Sequence, residues 1–215
     1  MKMPSMFCSL LILLLSIAQR SFSQLEFAVG IKGGVNSSSL NYDPELYSGT
    51  TGVSTTGGTR LAIGGVVALS PSSVVSLQFE PRYIQKVNKW ERGNYSEEVE
   101  LREFELPVLL VLKPFKSQLR PYLLAGPNVG FVLTGRDFLD RPGVRYEQNI
   151  RTSLSYFDVS LDLGLGGEYR LSEFSVTAEA RYSHGVSDLD NTISNQRIKS
   201  RSIQFLVGFL FVING

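Results

Sequence analysis

The sequence predicts an all-β fold, an eight-stranded antiparallel transmembrane β-barrel of the up-and-down type, behind an N-terminal signal peptide. Three observations carry this expectation. Large apolar residues recur at every second position in eight separate stretches, which is the period of a strand. The links between those stretches alternate short and long, as when hairpins leave tight turns at one membrane face and loops at the other. The face opposite the apolar one carries glycine and charge, which suits the inside of a narrow barrel better than the outside of a soluble one.

The elements follow in order. Residues 1–23 read as a secretory signal peptide: Lys2 supplies a positive start, Met6 to Ala18 is one apolar run, and Ser21-Phe22-Ser23 places small residues before Gln24. The run is shorter than the roughly 20 residues a spanning helix needs. Residues 24–215 form one barrel domain. Without the signal, 19 basic residues face 20 acidic ones, so no basic field points to nucleic acid. Cys8 is the only cysteine, which leaves the mature chain without a disulfide.

The strand candidates are about Leu25–Asn36, Arg60–Leu69, Val74–Lys86, Phe104–Leu112, Leu123–Leu133, Tyr156–Leu171, Phe174–His184 and Arg201–Ile213. In the fourth, Phe104, Leu106, Val108, Leu110 and Leu112 share a face; in the fifth, Leu123, Ala125, Pro127, Val129, Phe131 and Leu133 do. Pro107 and Pro127 count against central strands of an ordinary sheet, because proline cannot donate to the ladder. The links 70–73, 114–120 and 172–173 are short, whereas 40–59, 87–100, 134–155 and 185–200 are long and polar.

Alternation alone does not say which face points inward, and the second face decides it. That face carries Lys32, Arg60, Glu80, Arg82, Glu103, Glu105, Asp158, Asp162, Glu168, Arg170, Glu179 and Arg181, interspersed with glycines. Glycine weakens a strand, but in a narrow lumen it makes room for large neighbours. Seven acidic and five basic groups in a poorly hydrated space are expected to pair as a structural lumen network. The apolar face also has aromatic residues at two levels, Tyr83, Phe104, Phe131, Phe157 and Tyr182 toward the long loops, and Phe27, Tyr169, Phe174 and Phe211 toward the short turns. Two girdles fit two membrane interfaces.

The segments Leu77–Pro81, Glu105-Leu106-Pro107-Val108, Arg120-Pro121-Tyr122-Leu123-Leu124-Ala125-Gly126-Pro127, Asp158–Tyr169 and Ala180–Gly185 resemble the porin-family outer-membrane β-barrel domain common in Bacteroidetes, which includes the PorT-type proteins. The resemblance covers nearly all of the mature chain. It implies an outer-membrane location, and through the PorT-type members it raises a role in protein secretion or outer-membrane assembly. The chain ends Phe211-Val212-Ile213-Asn214-Gly215, without the terminal aromatic usual in such barrels.

Chemistry is sparsely signalled. His184 is the only histidine, and Ser183 beside it points to the opposite face in a regular strand. Glu103 and Glu105 are about 6.5–7 Å apart along one strand; that could suit glycoside hydrolysis, but the arginines on the same face favour charge pairing. A zinc-type ligand set is missing, and Gly164-x-Gly166-Gly167 lacks nucleotide-binding context. Loop aspartates (Asp137, Asp140, Asp188, Asp190) read as solvated rather than as a calcium site. Trp90 with Lys86, Lys89 and Arg92 reads as a charged outer loop with an aromatic anchor, able to meet lipopolysaccharide phosphates. The expectation is therefore a non-enzymatic barrel with a structural, adhesive or partner-binding role, with no catalytic, cofactor or metal site. Its expected partners are outer-membrane lipid and lipopolysaccharide, then other envelope or secretion proteins, and not nucleic acid. A secretion component is the alternative, and a small lipid-modifying barrel enzyme carries little weight.

Overall fold

The computed structural model describes residues 25–42, 54–92, 95–141, 144–151, 155–187 and 198–213, so the expected signal peptide lies outside the described residues. Ten strand segments occur among the described residues: β1 (Glu26–Tyr42), β2 (Ser54–Ser70), β3 (Val75–Phe79), β4 (Arg82–Arg92), β5 (Tyr95–Leu112), β6 (Leu119–Arg141), β7 (Val144–Asn149), β8 (Phe157–Arg170), β9 (Phe174–Gly185) and β10 (Ile198–Ile213). They make a ring of eight antiparallel staves. β3 and β4 are one stave, interrupted at Glu80-Pro81, and both pair with β2 on one side and β5 on the other. β7 is a short addition to the outer end of β6. The ring closes between β1 and β10, with Phe27 opposite Ile213 and Tyr42 opposite Ile198. Closure removes the edges that an open sheet would present to lipid.

The apolar face points outward. Ile31, Ile63 and Leu165 are each more than 60% exposed, which in water would be a large unpartnered patch and in a bilayer is the lipid-facing band. At its outer edge Tyr83, Phe104, Phe131 and Phe157 stand opposite one another across neighbouring staves, and the Phe131 and Phe157 rings meet edge-on with centroids 5.4 Å apart. At the inner edge Phe174 and Phe211 pair at 6.2 Å.

The two prolines are accommodated without loss of register. Pro107 faces the lumen opposite Asn128, and its carbonyl accepts a hydrogen bond from the Glu80 amide at 3.1 Å. Pro127 lies on the lipid face. The β5–β6 ladder lapses at Val108 and Leu109, opposite Pro127 and Gly126, and resumes at Leu110 and Ala125. Gly126 permits the close approach, since a Cβ there would lie 1.9 Å from the Val108 carbonyl oxygen.

Two of the expected long loops are corrected. Residues 87–100 continue the β4–β5 hairpin, with Arg92 opposite Tyr95, and 134–149 form the β6–β7 extension, with Arg141 opposite Val144. These stretches lack a continuous apolar face because they run beyond the bilayer, where Val87, Asn88 and Val99 stay buried while Lys89 and Arg136 reach solvent, so a true hairpin there looks like a loop. The other two loops shorten at both ends, and residues 43–53 and 188–197 lie outside the described residues.

Candidate functional site

The lumen is where the charged residues meet. At the short-turn end it is filled by apolar side chains: Leu109, Val111, Tyr122 and Leu124 form one buried cluster, and Ala28, Val66, Ala68 and Leu210 form another. This explains why 108–112 is a continuous apolar run, since the stave is apolar on both faces there.

Above this plug lies one connected network of charge. Lys32 Nζ stands 2.6 Å from Glu80 and 3.0 Å from Glu179, and it also donates to Gln78 Oε1 at 3.1 Å. Arg181 reaches Glu80 at 2.8 Å, contacts Glu179, and lies 3.6 Å from Asp162. Arg82 bonds Glu105 at 2.6 Å and Asp162 at 3.2 Å. Lys86 sits among Glu103, Glu105 and Asp158 at 2.7, 3.1 and 2.9 Å. Asp162 therefore joins the two halves. All of these side chains are at most 5% exposed, and each has an opposite charge beside it, as burial of a charge requires. The Tyr122 hydroxyl donates to Glu179 at 2.8 Å, and Ser200 donates to Asp158 at 2.7 Å.

Glycines make the room. A Cβ on Gly208 would meet Lys32 Cγ at 2.6 Å, one on Gly130 would meet Glu103 Oε2 at 2.8 Å, and one on Gly166 would meet the Tyr122 ring at 2.5 Å. The sequence alternates glycine with charge on this face because the lumen cannot hold a side chain at every inward position.

Ten of the twelve residues assigned to the lumen from sequence are buried there, and two are corrected. Arg60 pairs with Glu98 at the outer rim with its side chain 35% exposed. Arg170 pairs with Glu26 at the inner rim with its side chain 28% exposed. Alternation assigns a face but not a depth: Arg60 lies where β2 shifts register between Gly58 and Ala62, and Arg170 is the last residue of β8. Two lysines take their places. Lys86, grouped above with an outer loop, is buried because β4 runs on through it, and it shares the parity of Arg82. Lys113 bonds Glu168 at 2.5 Å near the inner end. The inward count thus stays at seven acids against five bases, but the connected network holds six carboxylates (Glu80, Glu103, Glu105, Asp158, Asp162, Glu179) and four cations (Lys32, Arg82, Lys86, Arg181).

The other candidates separate. Ser183 faces the lumen, its hydroxyl bonded to that of Ser160 at 3.0 Å. His184 faces outward, with Nδ1 3.4 Å from the Tyr182 hydroxyl. Among the described residues no three His, Cys, Asp or Glu side chains gather in a metal-holding group. Asp137 is on the inner face of the β6 extension, not in a loop. One of its carboxylate oxygens is buried without a partner, and burial raises its pKa above the ordinary carboxyl range. Glu97, on the neighbouring β5, is raised in the same direction by burial and then by the charge of Asp137. Lys89 pairs with Glu98 at 2.9 Å on the outer face; the side chains of Trp90 and Arg92 lie outside the described residues.

A closed ring of eight staves with a lipid-facing apolar band, two aromatic girdles and a charged interior defines a small outer-membrane β-barrel. Residues 17–191 match the family described as the outer membrane protein beta-barrel domain, and the chain belongs to that family. Among solved structures it is similar to Neisserial surface protein A, at 12% identity over 86% of this chain and 96% of that one, with a TM-score of 0.51. It is also similar to the outer membrane protein OprG from Pseudomonas aeruginosa, at 13% identity over 89% and 98%, with a TM-score of 0.54. Outer membrane protein W of E. coli aligns at 14% identity over 87% and 98%, with a TM-score of 0.45. At these identities the likeness concerns the fold alone. No curated protein matches the chain. The barrel is an outer-membrane protein.

Proposed function

We propose that the barrel is a non-enzymatic platform, anchored by its lipid face and acting through the structure it raises outside the membrane. The observation that carries this reading is an asymmetry of height. The β6–β8 ladder stops at Phe131 opposite Phe157, whereas β6 continues to Arg141 between β5 and β7. The lumen beneath is filled by paired charge and apolar side chains, while the projecting sheet exposes Tyr146, Glu147, Gln148 and Asn149 to solvent. A partner-binding or adhesive role puts the chemistry at that sheet, with lipopolysaccharide and other envelope proteins as its neighbours.

The test replaces residues 137–148 by a short turn. The shortened barrel is expected to insert and fold as before, while cells displaying it lose attachment to surfaces or partners that the full-length protein supports. Unchanged attachment would refute the reading. The finer alternative, a PorT-like component of secretion within a Bacteroidetes envelope, rests on the sequence resemblance; a deletion strain that attaches normally but fails to release secreted cargo would favour it. Lipid turnover abolished by His184→Ala would instead point to an enzyme.

A further inference from the structure

The lumen network does not balance. Among the described residues it joins six carboxylates to four cations, and all of them are buried, so the surplus has to be compensated locally. The carboxylate oxygens differ in how far this is achieved. Glu80 has a cation on each oxygen, Lys32 at 2.6 Å and Arg181 at 2.8 Å. Glu105 likewise meets Arg82 at 2.6 Å and Lys86 at 3.1 Å, and Glu179 lies between Lys32 and Arg181. Asp158 accepts from Lys86 at 2.9 Å and Ser200 at 2.7 Å on one oxygen and from Ser187 at 3.2 Å on the other. Asp162 leaves Oδ1 without a partner, but its Oδ2 sits between the guanidinium groups of Arg82 and Arg181 at 3.2 and 3.6 Å.

Glu103 is the least compensated of the six. It is fully buried, its Oε2 accepts from Lys86 at 2.7 Å, and its Oε1 has no hydrogen-bond partner. Lys86 is itself shared with Glu105 and Asp158. The remaining walls are apolar or bare. Ile84 stands opposite Glu103 on β4 and Val132 opposite it on β6, both buried, as is Leu101 two positions along β5. Gly130 on β6 adds no side chain, and a Cβ there would lie 2.8 Å from Glu103 Oε2. The charges around Glu103 are Lys86 and Arg82 from β4, Glu105 from β5, and Asp158 and Asp162 from β8. Asp137 lies farther out on β6, β2 presents Ala62 and Gly64 at this level, and β10 presents the Ser200 hydroxyl. The Lys32 and Arg181 charges of β1 and β9 are taken up by Glu80 and Glu179 in the lower half. Three carboxylates thus crowd one ammonium, and one oxygen of Glu103 is bare among apolar neighbours. Burial and like charges together disfavour an ionised carboxyl there and favour a neutral one.

We propose that Glu103 is a proton-binding site of the lumen, a neutral carboxylic acid at neutral pH whose proton keeps the outer half of the charge network dry. With that proton in place Lys86 balances Asp158 and Arg82 balances Glu105. The one surplus charge left is spread over Glu80, Glu179 and Asp162, each of which touches two cations. Release of the proton at alkaline pH strands a second charge beside Ile84 and Val132, and water or a cation has to enter to solvate it. The barrel interior is in this sense a seal that protons hold shut. The site is independent of the projecting sheet.

The test is infrared spectroscopy of the full-length mature barrel in an ester-free detergent, read at the carbonyl stretch of a protonated carboxyl. Wild type at pH 7 is expected to show a band that is missing from Glu103→Gln and retained in Glu97→Gln with Asp137→Asn, which removes the two partly buried carboxyls of the outer extension. Absence of the band from wild type, or its survival in Glu103→Gln, overturns the proposal. A band that appears in wild type only after sodium and potassium are removed places a metal cation where the proton should be, and overturns it too. Stability gives a second readout. Above the ordinary carboxyl range the unfolded chain has released this proton and the folded barrel keeps it. Wild type should therefore lose stability relative to Glu103→Gln by close to tenfold per pH unit, roughly 100-fold in the unfolding equilibrium between pH 5 and pH 7. A ratio that stays constant over that interval means that Glu103 is already ionised in the fold and overturns the proposal. Migration as a folded barrel on unheated gels checks each variant, and the wild-type band needs no variant at all.

Discussion

Removing Arg82 tests whether the lumen is a dry, paired interior. Its guanidinium holds Glu105 through Nε at 2.7 Å and Nη2 at 2.6 Å, and reaches Asp162 at 3.2 Å. In Arg82→Ala, Glu105 keeps only Lys86 at 3.1 Å, and Asp162 keeps only Arg181 at 3.6 Å. The network already holds two more carboxylates than cations, so the substitution leaves six against three. Breaking a buried pair costs about 3–5 kcal/mol, most of it the penalty of the stranded charge. At a urea slope of about 2 kcal/mol/M the midpoint should fall by roughly 2 M. The assay is reversible unfolding in lipid vesicles, followed by Trp90 fluorescence. Lys89→Ala is the control, since that exposed pair with Glu98 should contribute less than about 1 kcal/mol. Restoring the charge balance with Glu105→Gln on the Arg82→Ala background should recover part of the loss. An Arg82→Ala midpoint indistinguishable from that of Lys89→Ala would refute the reasoning, because it would mean that water screens the lumen.

Three further outcomes follow from the same structure. Leu163, 48% exposed at mid-stave on the lipid face, should cost roughly 2–4 kcal/mol when changed to Arg, and Leu163→Phe should be tolerated; unchanged stability of the Arg variant in vesicles would contradict the face assignment. Refolded wild type in planar bilayers should show no stable large conductance, since paired charge and the Leu109–Val111–Tyr122–Leu124 plug leave no continuous water path; a persistent open channel would count against it. Glu97 and Asp137 bear on pH. Both are raised in the folded state, so folding binds their protons more tightly than the unfolded chain does. Their contribution is fully favourable below the ordinary carboxyl range and is lost as pH rises through the folded values. Glu97→Gln with Asp137→Asn should therefore gain stability relative to wild type at pH 7.5 more than at pH 4, and an equal difference at both would overturn the assignment.

The membrane-embedded part of the barrel was legible because lipid and lumen impose opposite demands on successive residues. Ile31, Leu163 and Phe209 alternate with Lys32, Asp162 and Gly208, and no loop or helix reads that way. The wet part was not legible for the same reason. Beyond the girdle no hydrocarbon demands an apolar outward face, polar residues such as Lys89, Glu98 and Arg136 take its place, the alternation fades, and the hairpins through 87–100 and 134–149 look like loops. Depth within the lumen was hidden too. Parity puts Arg60 and Lys86 on the inward face alike, but only register shows that β2 breaks step beside Arg60 while β4 carries Lys86 to Glu103. The inward apolar plug escaped notice because Val66, Leu109 and Leu210 sit in runs whose outward neighbours are equally apolar.

The spread of the charge network along the chain constrains how this barrel can be made. Lys32 on β1 bonds Glu179, 147 positions later, and Arg181 bonds Glu80, 101 positions earlier. The β4–β5 hairpin carries its own counter-charges, Arg82 and Lys86 against Glu105 and Glu103, but β1–β2 brings an unmatched lysine, and β8–β9 brings a surplus of carboxylates. A hairpin entering the hydrocarbon alone would drag these groups through lipid, at a cost of about 2.5–3.5 kcal/mol for each charge near the centre. The first and last staves must therefore find one another while the chain is still at the membrane surface or in the care of an insertion machine. Biogenesis is then all-or-none, with the seam between β1 and β10 closing as the cylinder sinks, and a chain truncated before β9 should stall outside the bilayer rather than insert in part.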